Sequence, residues 1–545
     1  MTRVVILDGY IDEPASLGVP PYSSPLVRAA SGAAMSAGAE VEVVTIDQAR
    51  QGGIPACDVL AMLGGSAVPG RYLRAAPASG REIVGIASSF QGVKLLGGPA
   101  ALEAGLDRSL FQFTSRKDPA AMLYDLLSGE EPRERWRTGE EWERWLLLGA
   151  SAITGHPDFP QPLTAEVETY RGCVRYASGG CSFCVEPLKG KPAHRLPRNI
   201  IAEVRELHRL GVRNFRLGAQ TCFVSYMAKG KGETPTPDPE AIEELLSGID
   251  ALGVDVLHLD NANPAVIASH PEQSMEVLRS IARHCTSGNV LALGLESADP
   301  RVAEANNLNS TPEQALEAIR LINQVGRERG PTGLPMLLPG LNFIVGLDGE
   351  SQDTLRLNLE FLRSVRGQGL WLRRINIRQV SPIRREFRGG AGHSQFLRFK
   401  ETVRAEIDRP LLREILPIGT RLTRVYTELR EGNRTFGRQV GTYPILVGFN
   451  YPLQLGMFVD CMVVDWGARS VTAVEHPLDV NSCPLAALSS LPSVGGKRAV
   501  RILRGRPYSS LQELAGRLDE PKVAEVIAPF IGLGGKGEAF IAQGR

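Results

Sequence analysis

Short apolar runs that stop at glycine recur along the first quarter of the chain. VVILDGY, VEVVTID, CDVLAMLGG, EIVGIAS and VKLLGGP follow one another, with a small-residue helix, SSPLVRAASGAAMSAG, between the first two. A strand buried on both faces reads as a continuous apolar stretch, so this rhythm predicts a parallel sheet covered by helices. Residues 1–125 are expected to form a Rossmann-like α/β domain. The rhythm breaks over 126–162, where SGEEPRERWRTGEEWERW is charged and ITGHPDFPQP is rich in proline. That stretch reads as a linker holding one exposed, charged helix.

The alternation returns at 163. AEVETY, NFRLGA, VDVLHLD, VLALGLE, LNFIVGL and LWLRRINIRQV are strand candidates. NIIAEVRELHRLG, between the first two, places Ile200, Val204 and Leu207 on one face and stops at Gly211, a natural helix terminator. Further helices fall over 299–330 and 351–366. Six strands with intervening helices predict a partial (β/α)6 barrel over 163–408, with reactive groups at the C-terminal ends of its strands. From 409 to 480 short alternating strands and turn glycines predict a small OB-like β-barrel. The last stretch, 484–545, is helical with glycine turns. The fold class is therefore α/β in several domains.

Composition narrows the function. The 545 residues carry 61 basic and 60 acidic side chains, so any nucleic-acid-binding surface must be local. No apolar run reaches the roughly 18 residues needed to span a bilayer. MTRVVILDGYIDEP has no secretory h-region, and a cytoplasmic enzyme without membrane contact is expected. Eight cysteines are too few for a disulfide scaffold; Cys173, Cys181 and Cys184 crowd together while Cys57, Cys222, Cys285, Cys461 and Cys483 are scattered. Clustered thiols in a reducing compartment suggest a metal site or catalysis.

In RGCVRYASGGCSFCVEP the thiols are separated by seven residues, then two. Three soft thiolates suit zinc or iron–sulfur. A structural zinc site needs four protein ligands, and His194 offers a fourth. A cubane held by three cysteines leaves one iron open. The position just after the first predicted barrel strand favours the cubane.

With these residues in view, the segment over roughly 163–385 resembles the radical SAM superfamily. The usual motif there is C-x3-C-x2-C with an aromatic residue before the last cysteine. Phe183 fills the aromatic position, and the seven-residue first gap is a departure. LGLESADPRV looks like the family's G-x-E-S segment, LNFIVGLDGESQDT like its fifth strand, and RLGAQTCFVSY like the second-strand version of methylthiotransferases. The resemblance implies a [4Fe–4S] cluster on Cys173, Cys181 and Cys184, with S-adenosylmethionine (SAM) on the open iron cleaved reductively to a 5′-deoxyadenosyl radical. By the same resemblance Gly218, Ala219 and Gln220 line the methionine end, Glu296 and Ser297 contact ribose or methionine, and Ile344 and Gly346 pack the adenine. Asp260 and Asn261 either face substrate or cap a turn. Cys222 is either a thiol in the cavity or a small buried hydrophobe.

The flanking domains carry their own resemblances. Residues 1–125 are similar to the cobalamin-binding-type domain that precedes many radical SAM domains, through SLGVPPYSSPLVRAASGAAMSAGAEVEVV and LLGGPAALEAG. No histidine precedes His156, so cobalamin is admitted only without a lower axial imidazole. Cys57 alone cannot hold the second cluster of methylthiotransferases. Gly64-Gly65 and Gly97-Gly98 either approach a phosphate or make plain turns. Residues 409–480 resemble the TRAM module, an RNA-binding barrel, with Gly437-Arg438 in the usual Gly-Arg place. LSSLPSVGGKRAVRIL and YSSLQEL resemble a helix-hairpin-helix. In it Gly495 and Gly496 would open a helix toward a phosphate, beside Lys497, Arg498 and Arg501. Ser493 replaces the usual first glycine. Arg373, Arg374, Arg378, Arg384, Arg385 and Arg388 could extend such a track or pair with acids.

The layout resembles a radical SAM family with a C-terminal helix-hairpin-helix, distantly related to methylthiotransferases. It implies a methylthio- or methyltransferase-like enzyme that modifies RNA, tRNA first, with ferredoxin or flavodoxin as reductant. Two alternatives stand beside it: a radical SAM enzyme acting on a protein or small molecule, and a non-catalytic, metal-stabilised nucleic-acid-binding protein.

Overall fold

The apolar runs of the first quarter form a parallel sheet in the computed structural model, which describes residues 1–11, 22–65, 75–103, 105–388, 390 and 392–534. Residues 12–21, which carry part of the cobalamin-type resemblance, and 535–545, the end of the predicted helix-hairpin-helix segment, lie outside the described residues. The strands are β1 (Arg3–Gly9), β2 (Glu40–Thr45), β3 (Val59–Gly64), β4 (Val93–Gly97) and β5 (Phe113–Thr114), in the order β2-β1-β3-β4-β5. Val4 and Ile6 belong to one apolar core, and Val5 and Leu7 to the core on the other face. EIVGIAS lies in the helix Gly80–Ser89, where a Ser79–Glu82 capping box and the buried pair Ile83 and Ala87 fix helical rather than strand geometry. The glycine pairs close against one another: a Cβ on Gly65 would meet the Tyr10 carbonyl at 2.5 Å, and one on Gly98 the Gly64 carbonyl at 2.6 Å.

The expected linker with an exposed helix is corrected. Helix Gly139–Leu148 buries Trp142, Trp145 and Leu146. Their i, i+3, i+4 spacing makes an apolar stripe that the surrounding charges conceal in the sequence. It packs so tightly on helix Pro25–Ser36 that a Cβ on Gly32 would stand 1.8 Å from the Trp145 carbonyl.

The six predicted barrel strands are all present: β6 (Thr164–Glu168), β7 (Asn214–Gly218), β8 (Val256–Leu259), β9 (Asn289–Glu296), β10 (Leu337–Val345) and β11 (Ile375–Gln379). They run parallel and in chain order, with a bridge from Ala262 to Leu293 joining the two halves. Val167, Leu217, Leu259, Leu293, Phe343 and Ile377 are buried in the surrounding core. Alternation along each strand turns Glu166, Arg216, His258, Gly294, Asn342 and Asn376 to the inside of the curve, which makes the lumen polar. At the open edge Ser23, from the first domain, pairs with β6: its amide donates to Thr164 O (2.9 Å) and its carbonyl accepts from Glu166 N (3.1 Å). A buried ionic chain reinforces this contact: Arg28–Glu203 at 2.9 Å, Glu203–Arg195 at 2.6 Å and Arg195–Glu143 at 2.8 Å.

Residues 409–420 are not part of the β region. RPLLREI forms the helix Arg409–Ile415, with Leu411, Leu412 and Ile415 buried. The closed barrel comprises β12 (Arg421–Glu431), β13 (Arg434–Gln439), β14 (Leu446–Phe449), β15 (Phe458–Trp466) and β16 (Ser470–Glu475) in the order β12-β13-β14-β16-β15. It docks at the N-terminal feet of the six parallel strands. Arg424 pairs with Asp255 (2.6 Å), and Gln439 donates to Thr332 O (2.7 Å). Its loop 440–445 reaches up into the lumen, where the Thr442 amide donates to His258 Nδ1 (3.0 Å) and the Tyr443 hydroxyl to Asp260 (2.7 Å). Short helices Leu485–Ser490, Gly495–Arg504, Leu511–Arg517 and Lys522–Ile527 follow. Among the described residues no helix is long and apolar enough to cross a membrane.

Burial alone would raise the Glu203 carboxyl, but Arg195 and Arg28 outweigh it and hold the group below its usual range. Glu203→Ala should cost about 3–5 kcal/mol in denaturant unfolding, because two buried guanidiniums lose their partner. Glu206→Ala, which breaks an exposed pair with Arg209, should cost under about 1 kcal/mol. The Glu203 contribution should be present above the unfolded carboxyl value of about 4.3 and be lost as pH falls through the lower folded value.

Candidate iron–sulfur and cofactor site

The cysteine loop leaves β6 through a short antiparallel pair, Tyr170–Arg171 with Ala193–His194. Gly179 and Gly180, at φ +79° and +61°, reverse its direction. A seven-residue gap between the first two thiols calls for internal support, and two arginines supply it. The Arg175 guanidinium donates to Cys181 Sγ (3.3 Å), to Asn307 O (2.8 Å) and to Asn307 Oδ1 (2.8 Å), and its Nε pairs with Glu233 (2.7 Å). Asn307 in turn donates to Ser178 O and Gly180 O. From the far end of the barrel sequence, Arg384 Nη1 donates to the carbonyls of Gly179 (3.0 Å), Cys181 (3.0 Å) and Cys184 (2.9 Å).

Burial pushes the thiols up, Cys181 to about 11 and Cys184 to about 12, and the neighbouring thiols push in the same direction. Arg175 pulls Cys181 and Cys173 down. Among the described residues no three His, Cys, Asp or Glu side chains already stand in metal-binding geometry. The donor set nevertheless fits a cationic iron–sulfur cluster. Three soft thiols share one loop and sense one another's charge, and ionising them together needs positive charge between them. His194 does not complete a four-ligand zinc site. Its Nδ1 accepts from Met227 N (3.3 Å), its ring packs on Tyr170 (4.8 Å between centroids) and Tyr226, and burial lowers it to about 4.

The neighbouring strand ends carry unusual backbone. Ala219, Asn261 and Glu296 follow or end β7, β8 and β9 with φ of +57°, +39° and +65°. Side-chain-bearing residues in this region cost about 1–3 kcal/mol each, and such strain collects at ligand sites. Glu296 Oε2 is buried with no hydrogen-bond partner, and burial lifts the carboxyl to about 7, against the pull of Arg378. This orphaned acid is the second observation that fits a bound cofactor. The other predicted contacts are differently placed. Gln220 donates to Leu217 O and accepts from Thr169, so its amide is occupied. Ser297 accepts from Asp299 N, holding its own turn. The Gly346 amide donates to Glu350, and Ile344 and Gly218 sit near the upper ends of their strands. Phe183 is partly buried inside the loop. Asp260 is held by Tyr443 and Arg216, and Cys222 is buried, accepting from Asn263 N.

The basic residues separate. In helix Gly495–Arg504, Gly495 and Gly496 are exposed at its start and Lys497 is exposed. Arg498 pairs with Asp519 (2.8 Å) and Glu520 (2.9 Å), and Arg501 with Asp519 (3.1 Å). Arg385 pairs with Asp348 (2.8 Å). Sequence reasoning missed the roles of Arg175, Asn307 and Arg384, because their partners lie 6 to 205 residues away.

The chain matches the Radical SAM superfamily model over residues 167–362. It is 43% identical over 503 residues to an uncharacterised protein of Methanocaldococcus jannaschii, covering 86% of this chain and 92% of that protein. It is 26% identical over 215 residues to the tRNA-2-methylthio-N(6)-dimethylallyladenosine synthase of Mycolicibacterium gilvum, covering 38% of this chain and 39% of that protein. Among solved structures it is similar to the radical S-adenosylmethionine methyltransferase TsrM from Kitasatospora setae, with cobalamin and [4Fe-4S] cluster bound. That likeness has a TM-score of 0.48 and 14% identity, covering 69% of this chain and 75% of the other.

Arg384→Ala should lower the iron retained per chain after anaerobic reconstitution with iron and sulfide, with Arg384→Lys intermediate. Ala at Cys173, Cys181 or Cys184 should abolish the cluster absorbance. Full iron content in Arg384→Ala would show that the loop holds its shape without the guanidinium.

Proposed function

The chain belongs to the radical SAM superfamily, and on that premise we propose that it modifies RNA, tRNA first, by hydrogen abstraction followed by group transfer. It is a radical SAM enzyme whose cofactors are a [4Fe–4S] cluster and SAM. When bound, they supply the carbon-centred radical that abstracts hydrogen. The residues of this chain do the rest. Cys173, Cys181 and Cys184 would hold the cluster, on a loop stiffened by Arg175 and Arg384. Glu296 would receive a donor group of SAM, since its buried oxygen has no other partner. The strained turns at Ala219 and Asn261 would shape the methionine end. The polar lumen below would accept the substrate atom, and ferredoxin or flavodoxin would deliver the electron.

The observation that carries the RNA reading is the closed five-stranded barrel docked on the catalytic barrel. The relative named as a tRNA-modifying synthase supports it. The closed barrel stands at the foot of the strands and the cysteine loop at their heads. Strands of 4 to 9 residues separate the two by about 13–30 Å, a span an RNA stem can bridge. The same separation favours a second reading, in which the substrate is a protein or small molecule that never meets the closed barrel.

The test is anaerobic turnover of the reconstituted enzyme with reductant, SAM and either unfractionated tRNA or a peptide pool. 5′-Deoxyadenosine formation should rise with tRNA; stimulation by peptide alone would move the substrate to protein. Glu296→Gln should weaken SAM binding roughly 10–100-fold, the worth of a hydrogen bond to a charged group. Wild-type affinity should rise with pH through about 7 as the carboxyl ionises, and the variant should lose that rise.

A further inference from the structure

At the seam between β11, the helical segment 393–415 and the closed barrel lies a cavity of about 30 Å³, lined by Arg373, Arg374, Asp408, Leu412, Ile415 and Arg469 among others. Lys400 and Arg404 stand close enough to Arg469 to feel its charge. Five cations therefore gather near one carboxylate, and Arg373, Arg404 and Arg469 act on its charge directly. None of the five has an acidic partner within 4.0 Å among the described residues. Two are turned to aromatic rings instead: Arg374 lies 4.0 Å from the Tyr443 ring centre and Lys400 4.9 Å from that of Phe396. Burial holds Arg373 down to about 10, and Arg469 and Arg374 push the same way against Asp408.

The buried arginines Arg28, Arg195 and Arg438, by contrast, each face an acid. Here the half-buried Arg373 and Arg374 share a single acid, Asp408, and the exposed Arg469 leans over the same opening, an excess of positive charge that a bound anion offsets. The cavity is about one water molecule's share of liquid volume. It admits the edge of an oxyanion and excludes a base or a nucleoside. Guanidinium forks match phosphate oxygens in pairs.

We infer that this cavity is a phosphate-binding site that grips a phosphodiester of an RNA strand crossing the seam between the catalytic and closed barrels. The inference rests on the RNA reading for the source of the phosphate, but not for the site. Such a contact anchors and orients the strand without reading its sequence.

The test uses the full chain with fluorescein-labelled unfractionated tRNA, followed by anisotropy across a salt series, and inorganic phosphate, followed by thermal shift at constant ionic strength. Arg404→Ala and Arg469→Ala remove cations without emptying a core; Arg469 is exposed. Each should weaken tRNA binding about eightfold at 0.1 M salt and reduce the slope of log affinity against log salt by about 1. Arg209→Ala, on an exposed helix face, should change neither. If phosphate stabilises the wild type but not the variants, while tRNA binding is unchanged in all, the oxyanion site stands and its source is a small phosphorylated molecule. If tRNA and phosphate both treat variants and wild type alike, the inference is overturned. Displacement of tRNA by polyglutamate as readily as by unlabelled tRNA would assign the cavity to an acidic peptide and also overturn it. A wild type that binds no tRNA at any salt would sink the RNA reading, and the phosphate arm would still decide the site.

Discussion

One guanidinium holds the reactive loop closed. Arg384 gathers three backbone carbonyls of the cysteine segment, groups that no helix or strand satisfies. Carbonyl dipoles aimed at one point repel unless a cation sits there. With Arg384 in place, the thiols of Cys181 and Cys184 keep a fixed relation while Arg175 sets Cys173 against them. The extended first gap is thus tolerated because it carries its own strut.

The strands were legible because apolar residues recur along each, continuously in the first domain and in alternation with Glu166, Arg216 and His258 in the barrel, and every predicted barrel strand is present. The cysteine loop was legible through spacing alone. What escaped was anything decided by a partner far along the chain. The charged stretch around Trp142 and Trp145 looked solvated, since the sequence shows the glutamates but not the helix waiting at Gly32. Arg498 and Arg501 looked free because Asp519 and Glu520 return beside them only after a turn. Arg384 looked like one member of a basic patch, whereas folding assigns it to a loop 200 residues earlier. The small barrel was visible as a β rhythm, but its start at 409 was too early, because the short helix Arg409–Ile415 comes directly before the first strand, at Arg421.

Three parts of the molecule share one interior. Tyr22 from the first domain, Arg216 and Asp260 from the catalytic barrel and Tyr443 from the closed barrel form a single contact set, with Arg216 stacked on Tyr22 at 4.3 Å and the Tyr22 hydroxyl donating to Thr442 O at 2.9 Å. The first domain also lends Ser23 to the barrel's open edge. Contacts thus cross the boundaries read from the sequence rhythm.

Loop 440–445 has a consequence for chemistry that must exclude oxygen and water. Tyr443, bonded to Asp260, and Tyr22, stacked on Arg216, cover one side of the lumen. A reactive carbon formed beneath the cysteine loop would meet phenol rings and ion-paired side chains on that side rather than solvent.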